Sequence, residues 1–263
     1  MKIAHEAPLS IFPFVQRITD YDYALVHLFE SNMMYYRAFK DAVINGREVI
    51  LDNSIFELGT AFDNDAYYKW INMLQPTWFI IPDVLENAQG TMNKMAHWFS
   101  KYPTQGKIKT IGVIQGKTYE EIVECYKFVE PKVDKVAISF DYSYYINSIS
   151  DDITTNKYEK YMFGRIKLIN QLAEDGIINF KKPHHLLGCA LPQEFISYKG
   201  MKWVDSVDTS NPVVHGINGI RYSPEGLKDK ISTKLIEYMN ASISDKQLED
   251  IKYNVEAFRK FAN

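Results

Sequence analysis

The feature that most constrains this chain is a repeated unit in which a short apolar run stops abruptly at polar residues. Val49-Ile50-Leu51 ends at Asp52, Trp78-Phe79-Ile80-Ile81 at Pro82-Asp83, and Lys109-Thr110-Ile111-Gly112-Val113-Ile114 at Gln115-Gly116. Lys135-Val136-Ala137-Ile138 then ends at Ser139-Phe140-Asp141, His185-Leu186-Leu187 at Gly188, and Trp203-Val204 at Asp205. Segments with helical periodicity separate most of these runs. Strands that alternate with helices pair in parallel, and continuous apolar runs mark strands covered on both faces. The expected architecture is α/β, a (β/α)8 TIM-type barrel in one domain spanning residues 1–263, with an open doubly wound sheet as the alternative. In a barrel every strand opens its C-terminal end on one face. Asp52, Asp83, Gln115, Ser139, Gly188 and Asp205 would then surround one pocket.

Other segments fill in around these runs. Residues 9–16 read as a first strand or extended segment, bent at Pro13. Residues 21–43 carry helical spacing and stop at Asn45-Gly46. Asp63 or Asn64 caps a helix reaching Leu74, residues 87–100 form another, and Thr118 has capping-box spacing to Glu121. The tyrosine-rich stretch from Asp141 to about residue 157 reads as a long loop. Residues 158–174 are helical, Pro192 starts a short helix, Val213-Val214-His215-Gly216 reads as a last short strand, and two helices follow from about Lys228.

Composition narrows the function classes. With 263 residues, 46% of them hydrophobic, the chain can bury one large core. A formal charge of -3 gives no bulk attraction to phosphate, so any nucleic-acid contact needs a local basic patch. Two cysteines, Cys125 and Cys189, argue against a disulfide framework and a cysteine-built zinc site. No apolar run approaches membrane-spanning length and no signal peptide is visible, so a cytoplasmic protein without a membrane partner is expected.

Two carboxylates facing each other across a pocket suit displacement at a sugar carbon, one attacking and the other moving a proton. Asp52 and Asp205 are the natural pair. Asp83, Gln115 and the Gly116 backbone suit recognition of a planar heterocycle that carries donors and acceptors on one edge. Phe56 offers a stacking face, with Leu187 opposite. An acidic turn after a strand is also a common helix cap, and Phe56 and Leu187 are also ordinary core residues.

In order along residues 49–211, these segments resemble the tRNA-guanine transglycosylases and their phage and bacterial relatives, the DNA 7-deazaguanine transglycosylases. Leu51-Asp52-Asn53-Ser54-Ile55-Phe56 is similar to the segment carrying the general acid/base aspartate and a stacking aromatic. Pro82-Asp83 and Val113-Ile114-Gln115-Gly116 resemble the base-recognising segments. Ser139-Phe140 lies where the family has a glycine-containing turn whose backbone contacts the base, and His185-Leu186-Leu187-Gly188 resembles the segment covering the base's other face. Val204-Asp205-Ser206 resembles the nucleophile segment, which favours Asp205 over Asp208. The tRNA enzymes' zinc segment of three cysteines and a histidine is missing, and their Gly-Gly sequences are replaced here, which makes the DNA-modifying relatives the nearer likeness.

The resemblance implies replacement of guanine in nucleic acid, DNA favoured over tRNA, by a free 7-deazaguanine base through a covalent aspartyl-sugar intermediate, with no cofactor and no metal. The target base must leave its stack. Lys181, Lys182, His184, Lys199 and Lys202, with Arg221 and Lys228 beyond, are the candidates for phosphate contacts. Other expectations compatible with the residues are a tRNA enzyme, a catalytically silent nucleic-acid-binding homologue, and an unrelated barrel hydrolase of small glycosides or nucleosides.

Overall fold

The computed structural model describes residues 1–103 and 106–263. Eight strands form one sheet: β1 (Lys2–Ala4), β2 (Asp22–Leu25), β3 (Val49–Asp52), β4 (Trp78–Ile80), β5 (Lys109–Val113), β6 (Lys135–Ser139), β7 (His184–Leu187) and β8 (Val204–Asp208). The order is β1-β8-β7-β6-β5-β4-β3-β2, and every neighbouring pair is parallel. The sheet curls into a nearly closed (β/α)8 barrel. Between β1 and β2 the seam is joined by Asp20 N–H to the Ile3 carbonyl at 2.9 Å and by Ile3 N–H to the Asp20 carboxylate at 2.9 Å.

Around the strands lie α1 (Phe12–Gln16), α2 (His27–Ser31), α3 (Met33–Ile44), α4 (Ile55–Leu58), α5 (Asn64–Leu74), α6 (Ala88–Lys101) and α7 (Tyr119–Val129). The series continues with α8 (Ser143–Ser148), α9 (Lys157–Glu174), α10 (Asn211–Ile217) and α11 (Asp245–Ala262). Local chemistry sets several of their starts. The side chains of Asn32, Asp63, Asn87, Thr118, Asn156 and Ser244 each accept a backbone N–H from the first turn that follows. Such a cap stabilises a helix by about 1 kcal/mol. Glu121 does not complete a box with Thr118, because its carboxylate accepts from Lys117 N–H instead.

Several segments differ from the expectation. Residues 9–16 are helical rather than extended, since Pro13 falls in the first turn of α1, where its fixed φ fits and its missing N–H costs nothing. The first strand is earlier, at Lys2–Ala4. Residues 21–43 do not form one helix: β2 occupies Asp22–Leu25, buried throughout, and a fully buried strand has no alternation to distinguish it from a buried helix. Val213-Val214-His215-Gly216 is helical, within α10, with Pro212 in its first turn. The stretch after Asp141 also contains a short helix, α8. Among the described residues, no helix is long and apolar enough to cross a membrane.

Candidate active site

Because all eight strands run the same way, the residues just past their C-terminal ends share one rim. Every strand contributes to the cavity there. Its walls include Glu6 after β1, Leu25 of β2, Asp52 of β3, Asp83 after β4, Gln115 after β5, Ser139, Phe140 and Asp141 at β6, Leu187 to Cys189 at β7, and Asp208 to Ser210 at β8. Phe56 and Lys230 line it too. With its open mouth, the space is about 720 Å³. Asp52, Asp83, Gln115, Phe56, Ser139, Phe140, Leu187 and Gly188 thus converge as the strand ends suggested.

Asp205 does not. It sits near the start of β8, at the opposite end of the barrel, where its carboxylate accepts from Lys135 Nζ at 2.6 Å. Lys135 begins β6 and lies 4.3 Å from the Trp78 ring, which begins β4. Asp205 is the second residue of a strand whose cavity end is Asp208, so its place along β8 puts it on the floor. Val204 pairs with His184 and Ser206 with His185, so Asp205 is an extra, unpaired residue in β8, a β-bulge. Burial works against the Asp205 carboxylate, yet the adjacent Lys135 ammonium holds it below the ordinary value of 3.8. It is half of an ion pair closing the barrel floor. The carboxylate of β8 that reaches the cavity is Asp208.

Asp208 is held from two sides. His185 Nε2 lies 2.9 Å from Oδ1, and Gly188 N–H donates to the same oxygen at 3.4 Å. Asp52, at the end of β3, is 9% exposed, and burial followed by the charges of Asp208 and Asp83 pushes its carboxyl well above the ordinary value. Asp52 thus holds its proton more tightly than an ordinary carboxyl does. Glu6 faces Asp208 as well; burial first, then the Asp208 charge, raises its carboxyl strongly. The turn after Asp52 is unusual, because Ser54 adopts a left-handed conformation at φ 60°. Such geometry costs of order 1 kcal/mol or more in a non-glycine residue and concentrates at functional sites.

The Asp83–Gln115 group is preassembled. Asp83 Oδ1 accepts from Asn53 Nδ2 at 2.8 Å and Oδ2 from Gln115 Nε2 at 2.7 Å. Gln115 Oε1 in turn accepts Glu86 N–H at 2.9 Å, which fixes the orientation of the amide. Burial raises the Asp83 carboxyl, against the hydrogen bonds from Asn53 and Gln115. The Phe56 and Phe140 rings meet with centroids 5.6 Å apart, and Lys230 Nζ lies 4.0 Å from the Phe140 centroid while donating to the Cys189 carbonyl at 2.7 Å.

Other expected contacts fall elsewhere. Gly116 is not on the cavity wall. A Cβ there would meet Ile122 N at 2.8 Å, so the glycine serves the close approach of α7. Ser139 N–H is already taken by the Tyr142 hydroxyl at 3.3 Å. Lys181 and Lys182 precede β7, and Lys199 and Lys202 precede β8, which puts all four at the barrel end opposite the cavity. Lys182 donates to the Val133 carbonyl and Lys199 to the Lys260 carbonyl. Arg221 is engaged by Asp250 at 2.5 Å. The four lysines thus face away from a nucleotide held in the cavity.

Sequence reasoning missed Glu6, His185, Lys230 and Arg165. The last is fully buried, pairs with Glu194 at 2.6 Å, and donates to the Leu187 and Gly188 carbonyls at 2.9 and 3.0 Å, fixing the β7 rim. Among the described residues no group of three or more His, Cys, Asp or Glu is arranged to hold a metal ion. No protein-family model and no curated protein matches the chain.

Proposed function

We propose that this chain is a base-exchange transglycosylase that replaces guanine in DNA with a free 7-deazaguanine. The observation that carries the reading is the joint placement of Asp208 and Asp52, whose carboxyl burial raises, on one cavity whose wall also holds the Asp83–Gln115 pair. Guanine presents N–H donors and the O6 acceptor along one edge. The Asp83 carboxylate has remaining lone pairs for those donors, and Gln115 Nε2 has a second hydrogen for O6. Phe56 supplies the stacking face.

Asp208 takes the nucleophile role that the resemblance gave to Asp205. Its Oδ1 is pinned by His185 and Gly188, and Oδ2 attacks the anomeric carbon. The bond from that carbon to guanine N9 breaks, the electron pair leaves with the base, and Asp52 supplies the proton. The entering 7-deazaguanine returns a proton to Asp52 as its N9 attacks, and the sugar–carboxylate bond breaks. The reaction draws on no cofactor. Phosphate contacts fall to lysines whose chain positions lie beyond strand ends on the cavity side: Lys157, Lys228, Lys230 and Lys234. On this reading the protein works in the cytoplasm of a bacterial or phage-infected cell.

The test is incubation of the purified protein with DNA, tRNA and labelled 7-cyano-7-deazaguanine, followed by nucleoside analysis. Label in deoxynucleosides is the expected result. Label in RNA alone would move the substrate to tRNA, free guanine without incorporation would indicate a hydrolase, and no reaction with either polymer would end the proposal.

A further inference from the structure

Beneath Asp208 a line of buried polar side chains runs down the inside of the barrel. His185 Nε2 meets Asp208 Oδ1 at 2.9 Å, His185 Nδ1 meets Ser206 Oγ at 2.9 Å, and Lys135 Nζ donates to Ser206 Oγ at 3.0 Å and to Asp205 at 2.6 Å. His185 and the Lys135 side chain are fully buried, and Ser206 is 1% exposed. The Tyr23 ring stacks against the imidazole, with centroids 6.1 Å apart and planes 19° from parallel. In an apolar barrel interior, four such groups are costly unless every donor meets an acceptor.

We propose that His185 is the positioning residue of the Asp208 carboxylate, with its tautomer set from below by Ser206 and Lys135. The role in turnover rests on Asp208 being the nucleophile. For a neutral imidazole facing an ionised carboxylate, the hydrogen inventory leaves one consistent arrangement. Lysine has donors only, so Ser206 Oγ accepts from Lys135 and can spend its own hydrogen on His185 Nδ1. Nδ1 is then the bare nitrogen and Nε2 carries the hydrogen. A carboxylate only accepts, so Nε2–H is what Asp208 requires. The opposite tautomer would set a lone pair against the carboxylate.

Double protonation is opposed by burial, which lowers the imidazole below its ordinary 6.5, and by the nearby Lys135. The charged and titratable groups around the pair are His5, Glu6, Asp52, Cys189, Tyr21 and Tyr23 on the Asp208 side and Lys135 and Asp205 below. Through this chain, the ion pair on the barrel floor orients a carboxylate at the other rim.

The experiment is nitrogen NMR of histidine-labelled full-length protein between about pH 6 and 8, joined to base-exchange kinetics. The expected spectrum assigns His185 a protonated Nε2 and bare Nδ1 throughout. In Ser206→Ala the assignment is lost or mixed, and turnover per folded molecule falls about tenfold or more with KM for the free base unchanged. His185→Gln, whose amide can still donate to Asp208, retains more turnover than His185→Phe. A hydrogen on Nδ1 in the wild type, an imidazolium across the range, or Ser206→Ala with unaltered turnover per folded molecule would overturn the proposal. Should the wild type exchange no base, the transglycosylase reading fails, while the spectrum still decides the tautomer.

Discussion

Asp205 and Asp208 stand three residues apart on one strand, yet they serve opposite ends of the barrel. Lys135 holds the first at 2.6 Å on the floor, and His185 holds the second at 2.9 Å beneath the cavity. Ser206 connects them, touching both Lys135 and His185. One carboxylate is structural and the other is exposed to whatever enters the site.

Substitution separates the two roles. Asp208→Asn should abolish both base exchange and any trapped protein–nucleic-acid adduct. Asp205→Asn should retain the adduct and lose stability by about 1–2 kcal/mol, less than for a wholly buried pair because the Asp205 side chain is 37% exposed and solvent screens it. Denaturant titration and adduct gels measure the two effects.

Asp52 should cost stability at neutral pH. Its folded-state value lies well above the ordinary 3.8, so the folded chain binds the proton more tightly, and stability falls as pH rises from the unfolded value toward the folded one. Asp52→Asn should therefore unfold at a higher temperature than the wild type at pH 7, converge with it below about pH 4, and be inactive in exchange. Equal thermal midpoints at pH 7 would contradict the assignment.

Burial lowers the Lys230 ammonium from 10.5 to about 8. It is charged below that value and neutral above, so its contribution to nucleic-acid binding should disappear as pH rises through about 8. Lys230→Met should remove this step from the binding profile measured by fluorescence anisotropy.

The two ends of the barrel should differ in salt response. Replacing Lys157 and Lys234 by alanine should weaken nucleic-acid binding and flatten its dependence on salt by about one unit of slope per lost phosphate contact. Replacing Lys199 and Lys202 should leave both nearly unchanged. A reversed pattern would place the nucleic acid at the other end.

Gly116→Ala tests packing against recognition. Its Cβ would lie 2.8 Å from Ile122 N, and overpacking of this kind costs about 1–3 kcal/mol. Stability should drop by that amount while KM for the free base is unchanged in the folded fraction.

Much of the site was legible because strand ends in a parallel barrel share a rim. Val49-Ile50-Leu51 before Asp52, Ile80-Ile81 before Pro82-Asp83, and Ile114 before Gln115 mark both the strands and the residues they deliver. β2 was not legible, since its four residues are all buried inside a longer apolar stretch. Lys230 gave no signal because it reaches the cavity from a segment after the last strand, and Glu6 because β1 is three residues long.

The alternation of apolar runs with helical segments and the polar residues ending those runs determined, by themselves, an α/β barrel with a carboxylate-rich rim. Which carboxylate of β8 reaches that rim was decided by the tertiary structure. β8 stays paired as far as Asp208, so Asp205 remains near its start and the later carboxylate is the one delivered to the rim. The same holds for the Lys135–Ser206–His185–Asp208 line, whose members come from three neighbouring strands and meet only once β6, β7 and β8 pair in this register.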